Sequence, residues 1–322
     1  MSQYSSILVG VDLHHGDRAV SKELSPEVRA AIEQALELAA HSGGTVTFCS
    51  VLEISAQTAS LIERDHENLL KTVEDFASEL LDAEVNAANQ RGIAADKSIR
   101  FGRAWQELVN EATENRHHLI VIGTRPRDAA TRLLFGSTAQ KVLRLAACPV
   151  WIVKPDEVRE IREIAVATDL GESSLPILQA GIAAARAGNA RLYVLHVLEA
   201  DSLSHLLVAG VSEQEIAACQ QRLRNEAEAK LHAQLALCDY RTLQQGMQVE
   251  MVTGSPDREI GRFVTANEVD LLVIGTHGRR GIEAYLLGNT AERILPSIEA
   301  SLLVIKPSHA VGDQTKSLAS QN

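Results

Sequence analysis

The residues best suited to chemistry lie between positions 275 and 292. Gly275 and Gly278 form a G-x-x-G pair, and after nine intervening residues come Gly288, Asn289 and Thr290. Glycine at such places removes the Cβ that would hold a bound group away from the main chain. Asn289, followed three residues on by Glu292, reads as a helix cap with its box partner. The free N–H groups of a first helical turn and the helix dipole together attract an anion. Arg279 adds positive charge beside the loop, and Arg280 adds more. The chemistry this pattern suits is the holding of phosphate by main-chain amides. A cap by itself is structural in most helices; the specificity comes from the glycine spacing.

The same pattern occurs earlier in altered form. Gly123-Thr124-Arg125-Pro126 leads to Gly136, Ser137 and Thr138, with Gln140 three residues after Ser137, and every match is offset by 152 residues. Pro126 stands where Gly278 stands. It has no N–H, fixes φ near about −65° and pushes Arg125 toward extended geometry. The first loop is therefore expected to bind the same group weakly or not at all. The duplication extends further. Val153-Lys154-Pro155 matches Ile305-Lys306-Pro307, and Gly102 matches Gly254. Residues 7–12, ending at Asp12, match 164–169, ending at Asp169, and 51–53 match 197–199. The chain reads as two copies of one unit, spanning 1–155 and 161–308, joined by polar residues 156–160 and followed by a mobile polar tail over 309–322. The first copy has extra residues over 14–24, which would emerge beside its own loop and could cover it.

These residues need elements to position them. Short β-rich runs alternate with helical stretches in both copies. Strands are expected near 7–11, 45–51, 96–101, 119–122 and 150–153, then 164–167, 191–197, 248–252, 271–274 and 302–305. Helices are expected over 26–41 and 60–90, then 175–187 and 213–237. The fourth runs, 118–122 and 270–274, are almost wholly apolar, as strands covered on both faces are. Such alternation predicts α/β architecture: two tandem doubly wound five-stranded parallel sheets, each ordered 3-2-1-4-5, of Rossmann-like type. The ligand crevice of this fold opens at the carboxyl ends of the strands where the order reverses, between strands one and four. That brings Asp169, at the end of strand one, to the Gly275 loop, at the end of strand four. Asp12 and Gly123 are the first-copy equivalents.

Composition narrows the function classes. The chain has 322 residues, a formal net charge of −11 and 45% hydrophobic but only 3% aromatic residues. An acidic surface repels nucleic acid and anionic membrane, so neither is an expected partner. The four cysteines lack C-x-x-C or zinc-ribbon spacing and read as reduced thiols, Cys148 in core packing. The start carries no signal-peptide pattern and no run is long enough to span a bilayer, so a cytoplasmic location is expected. The pairs His14-His15 and His117-His118 read as solvated surface histidines. Asp169, His196 and His277 could converge at one edge, but no spacing is diagnostic of zinc, and no protein metal site is expected. Neither a P-loop nor a G-x-G-x-x-G follows a first strand, and there is no nucleophile elbow. No residue stands out as a general base, so turnover would be at most a slow ATPase.

The G-x-x-G-x9-G-[S/T/N] loop after a D-L-[LI]-V-[IM]-G strand resembles the universal stress protein family. So do the Asp after strand one, the Leu195-His196-Val197 strand end and the closing strand before Lys-Pro. The resemblance covers nearly the whole chain and is of the tandem kind. It implies ATP, or AMP or ADP, in the second copy, with magnesium escorting the phosphates. Asp169 would contact the adenosine part, with Thr168 and Val197 lining the base. Gly275, His277, Gly278 and Arg279 would wrap ribose and phosphates, and Gly288, Asn289 and Thr290 would hold phosphate. The weaker first-copy set is Asp12, Gly123, Gly136, Ser137 and Thr138. The resemblance further implies a stress-response regulator, with a protein partner of unknown identity. It also implies pairing of the two fifth strands in an intrachain pseudo-dimer, and homodimers of the whole chain are open. The alternative reading is a nucleotide-free interaction scaffold of the same fold.

Overall fold

The computed structural model describes residues 4–13, 24–53, 69–124, 136–155, 160–199, 211–276, 289–295 and 298–306. In the first copy the strands are β1 (Ser6–Gly10), β2 (Thr45–Leu52), β3 (Ala95–Phe101), β4 (Leu119–Gly123) and β5 (Val150–Val153). The helices between them are α1 (Pro26–Ser42), α2 (Leu69–Gln90), α3 (Ala104–Glu114) and α4 (Ser137–Leu145). The second copy follows with β6 (Glu163–Ala167), α5 (Ser174–Ala187), β7 (Arg191–Leu198), α6 (Glu213–Leu235), β8 (Met247–Thr253), α7 (Pro256–Ala266), β9 (Leu271–Gly275), α8 (Asn289–Ile294) and β10 (Ser301–Ile305). The strand positions expected from sequence are met to within a residue at either end.

Local chemistry accounts for many of the boundaries. Pro26 opens α1, where its missing N–H costs no helical bond, and Gly43 closes it at φ 66°, donating to Ala39 O. Asn189 takes the matching left-handed turn after α5 at φ 47°, a conformation asparagine tolerates better than most residues. Ser212 and Glu215 form a reciprocal capping box at the start of α6.

The expected pairing of the two fifth strands is met, and it makes the two five-stranded sheets continuous. Each copy has the order 3-2-1-4-5, but β5 and β10 join the copies into one ten-stranded sheet, ordered β3-β2-β1-β4-β5-β10-β9-β6-β7-β8. All pairs within a copy are parallel. The central pair is antiparallel, with Trp151 opposite Leu303. These two residues are also equivalents in the duplication, so a pseudo-two-fold axis passes between them. Both strands are short and apolar, and a paired edge hides backbone groups that would otherwise recruit another strand. Each face of the sheet carries one core that crosses the junction. One includes Val9, Ala31, Trp151, Leu178 and Leu303; the other includes Leu8, Val142, Ile152, Leu272 and Leu302.

The histidines differ from expectation. His117 is 7% exposed, and its Nδ1 lies 2.8 Å from Ser6 Oγ. Burial pulls its pKa below the usual imidazole range, against the pull of Glu111. The exposed His118 has its Nδ1 3.0 Å from Ser5 Oγ. The pair therefore tethers β4 to the start of β1, where its solvated reading fails for His117. Cys148 does pack against the core, and burial raises its thiol pKa to about 11. Among the described residues no helix is long and apolar enough to cross a membrane. His14, His15, Pro126, the covering segment over 14–23 and the tail fall outside the described residues.

Candidate functional site

The carboxyl ends of the neighbouring parallel strands β6 and β9 hold the described part of the second-copy site. Thr168 follows β6 and is 6% exposed; its Oγ1 accepts from Leu170 N at 3.1 Å. Leu170 turns at φ 58°, an unusual conformation for a branched apolar residue, with its side chain anchored in the core. That turn carries Asp169 outward and back over the start of α5. Asp169 Oδ1 accepts from Gly171 N and from Ser174 Oγ, both at 2.9 Å. One carboxylate oxygen is thereby fixed, and Oδ2 has no hydrogen-bond partner among the described residues. The result is a half-buried acceptor held in one orientation at the mouth of the crevice. Sequence reading found Asp169 but missed Ser174, whose signal is its spacing five residues after the aspartate.

His196 stands in β7, beside the end of β6. It is 2% exposed, and its Nδ1–H donates to Thr168 O at 2.8 Å, which locks the ends of β6 and β7 together. Among the described residues no group of three or more metal-ligating side chains occurs. Val197, in β7, is 8% exposed. In the first copy the place of His196 is taken by Ser50, a buried hydroxyl with no partner among the described residues.

Gly275 ends β9 opposite Ile305 of β10, and the buried Thr276 donates its N–H to Ile305 O at 3.2 Å. A Cβ on Gly275 would sit 2.4 Å from Ile177 Cδ1 of α5, so this glycine is required by helix packing. In the first copy a Cβ on Gly123 would sit 2.3 Å from Glu27 O. The capping reading is corrected here. The cap of α4 is Gly136, with no side-chain cap bond, and Ser137 is the first helical residue. Asn289 likewise lies inside α8 as its first residue, followed by the exposed Thr290. Ser137 and Thr138 open α4 in the same register. Glu292 pairs instead with Arg144 across the junction, at 2.8 Å. Asp12 follows β1, half-buried. His277, Gly278, Arg279 and Gly288 fall outside the described residues.

The profile of the Universal stress protein family matches residues 3–154 and again 160–306. The chain belongs to the universal stress protein family. It is similar to Universal stress protein E of Escherichia coli (strain K12), with 24% identity over 321 residues, covering 95% of both chains. It is also similar to Universal stress protein E of Salmonella typhi, with 24% identity covering 95% of this chain and 96% of that one. Among solved structures, a universal stress protein from Archaeoglobus fulgidus DSM 4304 has 18% identity and a TM-score of 0.65, covering 95% of this chain and all of that one. A putative universal stress protein from Pseudomonas aeruginosa UCBPP-PA14 has 19% identity and a TM-score of 0.64, covering 94% of each. At these identities the structural likeness bears on the universal stress protein fold alone.

Proposed function

We propose that this tandem universal stress protein binds an adenine nucleotide, ATP or its AMP and ADP relatives, in the second copy, and acts through that binding as a stress-response regulator. The reading is supported above all by the pinned Asp169, whose Oδ1 is held by Gly171 and Ser174 across the crevice from Gly275. A carboxylate fixed in this way offers Oδ2 to a ribose hydroxyl or the adenine amino group without first losing side-chain freedom. Thr168 and Val197 would wall the base. Gly278, Arg279, Gly288, Asn289 and Thr290 would hold the phosphates, whose charge magnesium would help to neutralise, and His277 would stand beside the ribose.

The first copy is proposed to hold nucleotide weakly or not at all, because Pro126 replaces the glycine and its N–H. For that copy the scaffold reading is the better one. ATP titration of the purified chain tests both. Gly278→Pro is expected to weaken binding by more than about tenfold, through loss of an amide donor and a forced φ, while Pro126→Gly adds a weak second site. A Gly278→Pro protein that titrates like its parent would remove the loop from the site. Mass spectrometry of small molecules released from the purified protein checks which nucleotide is carried.

A further inference from the structure

The turn that carries Asp169 is also held by a helix far away in the chain. Gln234 Nε2 of α6 donates to Gly171 O at 3.1 Å, across 63 positions of sequence. The same carbonyl accepts from Ser174 N at 3.2 Å, and Gly171 N donates to Asp169 Oδ1 at 2.9 Å. Gly171 is therefore tied at both its N–H and its carbonyl. It lies close against the carboxylate: a Cβ on it would sit 3.1 Å from both Asp169 Oδ1 and Oδ2. Any shift of this glycine is a shift of the surface on which the carboxylate rests.

Gln234 is itself firmly placed. Leu231 and Leu235 on either side of it are buried in the same core as Leu170, the left-handed residue of the turn. The glutamine is half-buried, and its Oε1 is buried with no hydrogen bond among the described residues. An unpaired buried acceptor is costly, and native interiors rarely keep one. An apolar side chain of similar length would avoid that cost. What only the amide supplies is a donor to Gly171 O. A carbonyl can only accept, so the NH2 end must be the one that faces it.

We propose that Gln234 is a positioning residue of the nucleotide site: it fixes the Gly171 turn and, through it, the Asp169 carboxylate, so that α6 sets how well the second copy holds a nucleotide. The inference rests on the nucleotide reading of the crevice. It adds to that reading a residue outside both strand ends and the glycine loop.

Calorimetric titration of ATP into the full-length chain tests this, with Gln234→Met, Asp169→Ala and the double variant beside the parent. Methionine keeps the length and loses the donor. Gln234→Met is expected to weaken ATP by about three- to tenfold, the range for one hydrogen bond, and to keep the parent's midpoint in urea without nucleotide. Asp169→Ala should weaken ATP by about tenfold or more. The double variant should bind no more weakly than Asp169→Ala alone, because residues that act through one group are not additive. Gln234→Leu replaces the methionine variant if that chain does not fold. Unchanged ATP affinity in Gln234→Met, beside a loss in Asp169→Ala, overturns the positioning role and leaves the nucleotide site standing. A Gln234→Met loss that persists in full in the double variant overturns it as well, since the glutamine then acts elsewhere. Unchanged affinity in Asp169→Ala overturns the nucleotide reading of the crevice, and this inference with it.

Discussion

Gly123 and Gly275 occupy the same place in the duplication, yet they are required by different neighbours. The Cβ that Gly275 lacks would meet the tip of Ile177, at 2.4 Å from its Cδ1. The Cβ that Gly123 lacks would meet the main chain of α1, at 2.3 Å from Glu27 O and 2.7 Å from its carbonyl carbon. A side-chain tip can move to another rotamer, whereas a helix backbone moves only with the helix. Gly275→Ala is therefore expected to cost about 1 kcal/mol and Gly123→Ala about 3 kcal/mol, the two ends of the overpacking range. Urea unfolding of the two variants checks the order, and equal midpoints would refute it. Sequence pattern marks both positions as glycine but is silent on why, because the reason is an atom more than 90 residues away in each case.

At the scale of elements, the second copy supplies a helix cap to the first. The last carbonyls of α4 are taken by Lys306 Nζ, which bonds Arg144 O at 3.2 Å and also Ala146 O. Lys306 is 8% exposed, and burial lowers its pKa from 10.5 to about 8. Between those two values the unfolded chain keeps a proton that the folded chain has released. Raising the pH through that window therefore favours the folded state, and the cost of burying the ammonium is felt fully only below about pH 8. Wild-type stability should gain on the order of 2 kcal/mol from this group between pH 8 and pH 10. In Lys306→Met that rise should be absent, whatever the variant's stability at neutral pH. Denaturant midpoints taken across the window measure it. By contrast the Arg144–Glu292 pair, though at 2.8 Å, is about half exposed on the arginine side, and such pairs contribute little.

The whole molecule depends on the junction between β5 and β10. Both cores cross it, so neither copy closes its own hydrophobic interior. A chain ending at residue 155 would present β5, all four of whose residues are buried in the intact protein, as a bare apolar edge. Such an edge pairs with whatever strand is available. The isolated first copy is expected to self-associate, to a dimer or larger species by sedimentation velocity, and a monodisperse monomer would contradict this. A cavity of about 250 Å³ between α1 and α5 would be lost in that fragment, because about half of its lining residues belong to the second copy.

Residue order alone determines the duplication, the ten strands and their order within each copy. Apolar runs and helical periods are local properties, and a short crossover between parallel strands leaves few topologies. It also marks Asp169 and the glycine loop as candidates for the site. Tertiary structure decided the rest. The family resemblance implied that the fifth strands pair, but the antiparallel register that sets Trp151 opposite Leu303 is an edge-to-edge contact which no local period encodes. That Ser137 and Asn289 lie inside their helices, with Gly136 as the cap of α4, depends on the backbone path entering the helix. His196 and His117 are structural because of the atoms opposite them. The cavity between α1 and α5 arises where Ala184 and Ala187 stand opposite Leu38 and His41, residues that become neighbours only when the copies are folded against each other.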